Sequence, residues 1–297
     1  ILNDKCNCLC NMCGASWPFS ISWTYEQVIE HLHKGVEFEI KQVVFSGGEV
    51  TLRKDLPLLL AHAKRMNYEN VIVLTNGRKL SSTSYLGKLI ESGITGIGTT
   101  LYSLFPEVHE KITGVQGSFF QTVAGIRTVS AYRPNIPFSV NIVITLENYQ
   151  SLSETVQYLI DLGVRSIQIT YVVPIGRAKG IFKSGMPLIS EILPLLEKSI
   201  NLFEKAIDKS NHYSITTSFF PRCMLGNLGS YATDEDPSLT YFVSPDKTMI
   251  SLKELLGKDM LVSKTNKCEN CLDSYHCIGL WREYTNVHGW DELKAIQ

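Results

Sequence analysis

Between residues 42 and 173, short β-branched runs alternate with helical periodicity, and this alternation restricts the chain to a parallel α/β architecture. Gln42–Phe45 and residues 71–74, 94–102, 138–145 and 167–173 read as strands. Helical stripes lie between them: Leu56, Leu59, Leu60 and Ala63; Leu86, Leu89 and Ile90; residues 121–131; and Val156, Leu159 and Ile160. An earlier helix over residues 25–34 stops at Gly35, and a long later one carries Ile192, Leu196, Ile200, Phe203 and Ile207. Units of about 30 residues imply right-handed crossovers and a parallel sheet. We number these strands second to sixth of six units, too few for an eight-fold barrel. Pattern alone leaves a partial barrel or an open doubly wound sheet. From Ser214 the periodicity breaks into strand-like pieces at 214–220 and 239–243, turn residues and four cysteines, which divides the chain into regions 1–213 and 214–297.

With 297 residues, 44% of them hydrophobic, the chain can bury a sizeable core. Lys and Arg number 28 against 29 Asp and Glu, so no bulk field draws it to nucleic acid or an acidic membrane surface. No apolar run reaches the roughly 18 residues of a membrane span, and no charged-then-apolar leader is seen. The expected setting is cytoplasmic and reducing. Ile1 is not an initiator Met, which leaves room for a preceding segment, including a partner-binding domain.

Eight cysteines fall into two end clusters, a distribution that suits two metal centres better than a disulfide framework. Cys6, Cys10 and Cys13 have three and then two residues between them. Thiolates are soft ligands that select iron–sulfur clusters, zinc or Cu(I), and three this close can reach three corners of one cubane. The fourth iron is then open to a ligand. A structural zinc would want four ligands, and Cys8 can supply the fourth; otherwise Cys8 is a small packed thiol. The cysteine spacing, Met12 before the third Cys and the downstream Ser46-Gly47-Gly48-Glu49 together resemble the radical S-adenosylmethionine (radical SAM) superfamily.

That resemblance covers roughly residues 1–180 and implies a partial (β/α)6 TIM-like barrel with a small cysteine-rich C-terminal region. It makes Cys6, Cys10 and Cys13 the ligands of a SAM-binding [4Fe-4S] cluster. Gly47 and Gly48 would let the backbone approach the methionine part of SAM, and Glu49 would meet its ammonium. Val50 departs from the Pro that many relatives carry. By the same resemblance Met12 approaches the adenine, Thr100 the ribose or the methionine carboxylate, and Asn141 the ribose; Arg177 pairs with that carboxylate or with substrate. Each has an ordinary reading as well: Met12 as core, Thr100 as a strand-favoured residue, Arg177 as a solvated surface side chain. Thr75 and Asn76 are candidates by position, because ligands in parallel α/β folds sit beyond the C-terminal ends of strands. His109 and Lys111 read as loop anchors, and no catalytic residue is assigned.

Cys268-x2-Cys271-x5-Cys277, with Gly279 and Tyr284 following, resembles the C-terminal part of the SPASM/Twitch group, and Cys223 is the natural fourth ligand of a second, auxiliary [4Fe-4S] cluster. Trp281 stands where the longer SPASM pattern has another Cys, which favours one auxiliary cluster. A four-thiolate zinc is the other reading. The implied activity is generation of a 5′-deoxyadenosyl radical that abstracts hydrogen, with net oxidation of the substrate. Our first expectation is maturation of a peptide or protein through a crosslink, dehydrogenation or ring. Oxidation or cyclisation of a small molecule is the alternative, and a non-catalytic electron-transfer or zinc-binding scaffold is the third. The expected partners are the substrate and a reductant such as flavodoxin or ferredoxin; the sequence gives no oligomeric state.

Overall fold

The strand–helix units pair in strict chain order in the computed structural model, which describes residues 2–14, 22–132, 136–206, 213–233, 241–243, 249–251, 262–274, 277 and 279–296. Ile207 and residues 239–240, read above as helix and strand, lie outside the described residues. The sheet runs β1 (Gln42–Phe45), β2 (Asn70–Leu74), β3 (Gly96–Thr100), β4 (Phe138–Ile144), β5 (Ser166–Tyr171) and β6 (Ser214–Ser218), all parallel and with β1 and β6 at its two edges. Helices α1 (Tyr25–Glu37), α2 (Leu56–Arg65), α3 (Thr83–Glu91), α4 (Pro106–Thr113), α5 (Ser118–Tyr132), α6 (Leu152–Asp161), α7 (Ala178–Ser184) and α8 (Ile189–Ala206) fill the intervals. This is the open, partial barrel that the resemblance implies; among the described residues the sheet does not close.

Alternation along the strands divides the sheet into two unlike faces. Val71, Val73, Val140, Ile142, Ile144, Ile167, Ile169 and Ile215 are buried in two cores against the helices. The opposite face carries the register rows Gly98–Ser139–Ser166–Ser214, Thr100–Asn141–Gln168–Thr216 and Val143–Thr170–Ser218. Parallel sheets are ordinarily covered on both faces, and closed barrels fill their interior with branched apolar side chains. On β1 and β2 this inner face is apolar, with Val44, Ile72 and Leu74. From β3 to β6, Val143 apart, it is small, hydroxylated or amidic, the rows named hold no charged side chain, and this part forms a polar trough rather than a core.

Two departures from the sequence reading concern the sheet's edges. Ser214–Ser218, assigned above to the C-terminal region, pairs in parallel with β5 and is the sixth strand. The segment ahead of the cysteine loop, which the strand numbering leaves as a first strand, runs beside residues 46–49 through Leu2 N–H to Ser46 O (2.7 Å), Gly48 N–H to Asn3 O (2.6 Å) and Glu49 N–H to Lys5 O (2.7 Å). Beyond β6 come α9 (Arg222–Leu225), the antiparallel pair β7 (Tyr241–Val243) and β8 (Met249–Ser251), the pair β9 (Val262–Ser263) and β10 (Leu280–Trp281), and α10 (Arg282–His288). Leu280, Trp281, Tyr284 and Leu293 join the core of β4, β5 and α8. The Tyr284 ring lies 5.9 Å from that of Tyr171, and its hydroxyl accepts from Ile189 N–H at 3.1 Å. The last described residues are thus docked on the sheet's second half.

Candidate functional site

The cysteine loop is pinned at the C-terminal end of the sheet by segments distant in sequence. Leu9 N–H donates to Thr113 O (2.8 Å) and Asn11 N–H to Ile112 O (3.0 Å), so the last turn of α4 holds the loop's middle. Arg177 N–H donates to Cys13 O at 3.1 Å, which joins the loop's end to the segment after β5. Cys6 is exposed, Cys10 and Cys13 are partly accessible, and Cys8 is buried at 3% exposure. The Cys8 sulfur has Asn76 Nδ2 at 3.5 Å and Arg78 Nη1 at 3.6 Å. Within the loop the thiols act on one another: a hydrogen bond to Cys8 and burial push Cys6 upward, while a hydrogen bond with Cys8, and secondly one from the Tyr102 hydroxyl, lowers Cys10.

Glu49 lies beside this loop and is 1% exposed. Its Oε1 accepts from Thr51 N–H (2.9 Å), Thr51 Oγ1 (2.5 Å) and Thr75 Oγ1 (2.6 Å), and its Oε2 accepts from Asn76 N–H (2.7 Å). All four donors are neutral. Among the described residues no Lys, Arg or His pairs with this buried carboxylate, an environment that favours a cationic ligand. Asn76 extends the network: its Nδ2 donates to Asn7 Oδ1 at 2.6 Å. Two hydrogen bonds therefore connect the cysteine loop to Glu49. The glycine pair has a structural use that spacing does not reveal. A Cβ on Gly48 would sit 2.3 Å from Lys5 O, and one on Gly47, at φ +149°, 2.5 Å from Asn3 O. Their bareness admits the segment that leads into Cys6.

The other candidates are brought to the same end of the sheet, with different neighbours. Thr100 and Asn141 are paired across β3 and β4 on the trough, and Asn141 Oδ1 accepts from Thr170 Oγ1 at 2.7 Å. Met12 packs at the border of the larger core. Arg177 precedes α7, with its backbone on Cys13. His109 is buried in α4, and burial lowers its pKa to about 4, in keeping with the anchoring role read from sequence. Sequence reasoning missed Asn7 and Arg78, and it placed Tyr102 at a strand end without giving it a partner. Arg78 Nη1 donates to Asn7 O and its Nε to Gln121 Oε1 (2.6 Å). Tyr102 O–H donates to Cys10 Sγ at 3.7 Å. The signal for Arg78 was available: it directly follows Thr75-Asn76-Gly77, where Gly77 adopts φ +79° and turns the chain back.

The C-terminal cysteines form a second, separate cluster. Cys223 on α9, Cys268, Cys271 and Cys277 line one small pocket with Lys264 and Asp273. Gly279 N–H donates to Cys277 Sγ at 3.3 Å, and Arg222 faces Asp273 across 3.9 Å. Burial, together with the nearness of Cys277, Cys271 and Cys268, pushes the Cys223 thiol up to about 12. Among the described residues no three His, Cys, Asp or Glu side chains converge as ligands of a single ion. Nor is any helix among them long and apolar enough to cross a membrane.

The radical SAM superfamily model matches residues 1–159, more than half of the chain, and the chain belongs to that superfamily, a class of enzymes that use SAM and a [4Fe-4S] cluster. Among curated relatives, a probable GTP 3′,8-cyclase of Sulfurisphaera tokodaii is 30% identical over 195 residues, covering 65% of this chain and 58% of that protein. A protein of the same name from Sulfolobus acidocaldarius is 28% identical over 206 residues, covering 68% of this chain and 64% of its own length. The matched part thus spans less than two thirds of these relatives. Two solved structures share the fold over 99% of the chain at a TM-score of 0.68: Streptococcus suis SuiB bound to S-adenosylmethionine, at 14% identity and 74% of that chain, and anSMEcpe with bound AdoMet and Kp18Cys peptide, at 17% and 90%.

Proposed function

We propose that this protein is a radical SAM oxidoreductase that oxidises or cyclises a small molecule, with a purine nucleotide the first substrate to test. Cys6, Cys10 and Cys13 would hold the SAM-binding [4Fe-4S] cluster. The donor set fits, because these three thiols are accessible while Cys8 is buried beside Asn76 and Arg78. Glu49, fixed by Thr51, Thr75 and Asn76 and with no cationic partner among the described residues, would receive the ammonium of SAM, with Gly47 and Gly48 shaping its loop. Met12, Thr100, Asn141 and Arg177 would line the rest of that ligand's site. When bound, the cluster and SAM supply a 5′-deoxyadenosyl radical able to take hydrogen from an unactivated carbon. The chain's own contribution is to orient both partners and to present the reacting carbon.

The observation that carries the substrate reading is the 28–30% identity to proteins named probable GTP 3′,8-cyclase. The uncharged trough row Thr100–Asn141–Gln168–Thr216 is compatible with it, since its hydroxyls and amides suit the hydroxyls of a sugar and the edge of a base. Cys223, Cys268, Cys271 and Cys277 would hold an auxiliary [4Fe-4S] cluster of the Twitch kind. Peptide maturation, our first expectation from sequence, keeps one specific support, the SPASM/Twitch-like spacing of these four cysteines. The test is anaerobic reconstitution followed by incubation with SAM, reductant and GTP. Stimulated 5′-deoxyadenosine formation with a guanine-derived product supports the nucleotide; no stimulation by GTP, but stimulation by a short peptide encoded beside the gene, replaces it with peptide maturation.

A further inference from the structure

Tyr102 follows β3 and is held at every polar atom. Its N–H donates to His109 Nδ1 at 3.3 Å, its carbonyl accepts from Asn148 Nδ2 at 2.7 Å, and its hydroxyl donates to Cys10 Sγ at 3.7 Å. Asn148 is fixed in turn, accepting from Thr145 N–H (2.8 Å) and donating to Val143 O (2.9 Å). The Tyr102 ring lies 5.5 Å from that of His109, which meets Phe119 edge-on at 5.8 Å. Because Nδ1 accepts, the His109 proton sits on Nε2, and that buried atom has no hydrogen-bond partner among the described residues. An apolar side chain would fill the same space without stranding a polar atom. Histidine is thus spent on accepting the Tyr102 N–H. The arrangement aims one phenol at one sulfur, and packing alone would be met by phenylalanine.

We propose that Tyr102 is a positioning residue that tunes the cluster which Cys10 would help to hold: its hydrogen bond to the Cys10 sulfur raises that cluster's reduction potential. The inference rests on the reading of Cys10 as a cluster ligand. A donor to a ligand sulfur stabilises the more negative, reduced cluster, and such second-sphere bonds are among the determinants of iron–sulfur potentials. The experiment is a potentiometric titration of the full reconstituted chain, following by electron paramagnetic resonance the cluster signal that responds to added SAM. Tyr102→Phe should keep its iron and titrate at a more negative potential than the unmodified protein. Site-specific 3,5-difluorotyrosine at 102, a stronger donor of the same shape, should shift it the other way, and this decides the matter if the phenylalanine variant fails to assemble. An unchanged potential with difluorotyrosine, or with an iron-replete Tyr102→Phe, overturns the proposal. Absence of any SAM-responsive signal in the unmodified protein would overturn the cluster reading and this inference with it.

Discussion

Thr75 donates its hydroxyl to Glu49 Oε1 at 2.6 Å, a bond that ties the loop after β1 to the loop after β2. Glu49→Gln would keep an oxygen for the three donors at Oε1 but set an amide N–H against the N–H of Asn76, now at Oε2. Leaving that donor unpaired costs about 1–3 kcal/mol, and loss of the charge-assisted bond to an ammonium about 1.5–3 kcal/mol. The expected outcome is SAM affinity weakened roughly tenfold to a hundredfold, with iron content unchanged. Equilibrium dialysis of labelled SAM under anaerobic conditions checks it, and unchanged affinity removes Glu49 from the site.

Gly48 provides a steric test of the same corner. The methyl of Gly48→Ala would meet Lys5 O at 2.3 Å and Asp4 C at 2.8 Å, both backbone atoms, so the segment leading into Cys6 has to move. We expect reduced iron loading and slower SAM cleavage. Gly87→Ala in α3 is the control, since nothing lies within 4 Å of its added Cβ; it should raise stability by about 0.5–1 kcal/mol. Equal iron loading in the two variants would show that the glycine at 48 is not needed for close approach.

Local chemistry was legible in the sequence and long-range chemistry was not. The thiol spacing and Gly47-Gly48-Glu49 each lie within a few residues, so their donor types could be read directly. The Asn7–Asn76 and Tyr102–Cys10 bonds join residues 69 and 92 positions apart, and nothing in either segment announces its partner. The strand Ser214–Ser218 was misassigned for a physical reason. Ile215 and Thr217 face the core, while Ser214, Thr216 and Ser218 face the polar trough, so the strand lacks the continuous apolar run that marks a doubly covered parallel strand. Asn141 shows the converse: a polar residue within the apolar run of β4, at the spacing that put it on the inner face.

Cys8→Ala tests the choice of three thiols out of four. Cys8 is buried, and its contacts with Asn76 and Arg78 are long. Its loss should therefore cost about 1 kcal/mol of stability or less, with iron content and 5′-deoxyadenosine formation retained. Joint loss of iron and of SAM cleavage would mean that Cys8 is a ligand and that one of the other three is not.

His109 gives a pH dependence of definite sign. Burial holds its folded-state pKa near about 4, against about 6.5 when unfolded. The unfolded chain binds the proton first, so the contribution to stability is complete above about pH 6.5 and is lost as pH falls toward about 4, to a total of roughly 3 kcal/mol. At pH 5.5 the loss should be about 1.4 kcal/mol. His109→Asn retains an acceptor for the Tyr102 N–H but does not titrate. Urea unfolding at pH 7.5 and 5.5 should therefore show a steeper pH dependence in the unmodified protein than in the variant; equal slopes would place the His109 proton uptake elsewhere.

The C-terminal thiols separate an electron-accepting centre from a zinc staple. The four sulfurs line one pocket, and Cys223 responds to the other three. If they hold a second cubane, the reconstituted protein contains about eight irons and no stoichiometric zinc. Cys271→Ala should lower iron towards about four, because Cys6, Cys10 and Cys13 lie in a different part of the chain and keep their own cluster. That variant should still cleave SAM but fail to complete a two-electron oxidation, since the acceptor for the second electron is gone. Iron near four with one zinc in the unmodified protein would make the C-terminal site structural. Full product formation by a Cys271→Ala protein that lacks the second cluster would show that the oxidation draws on another acceptor.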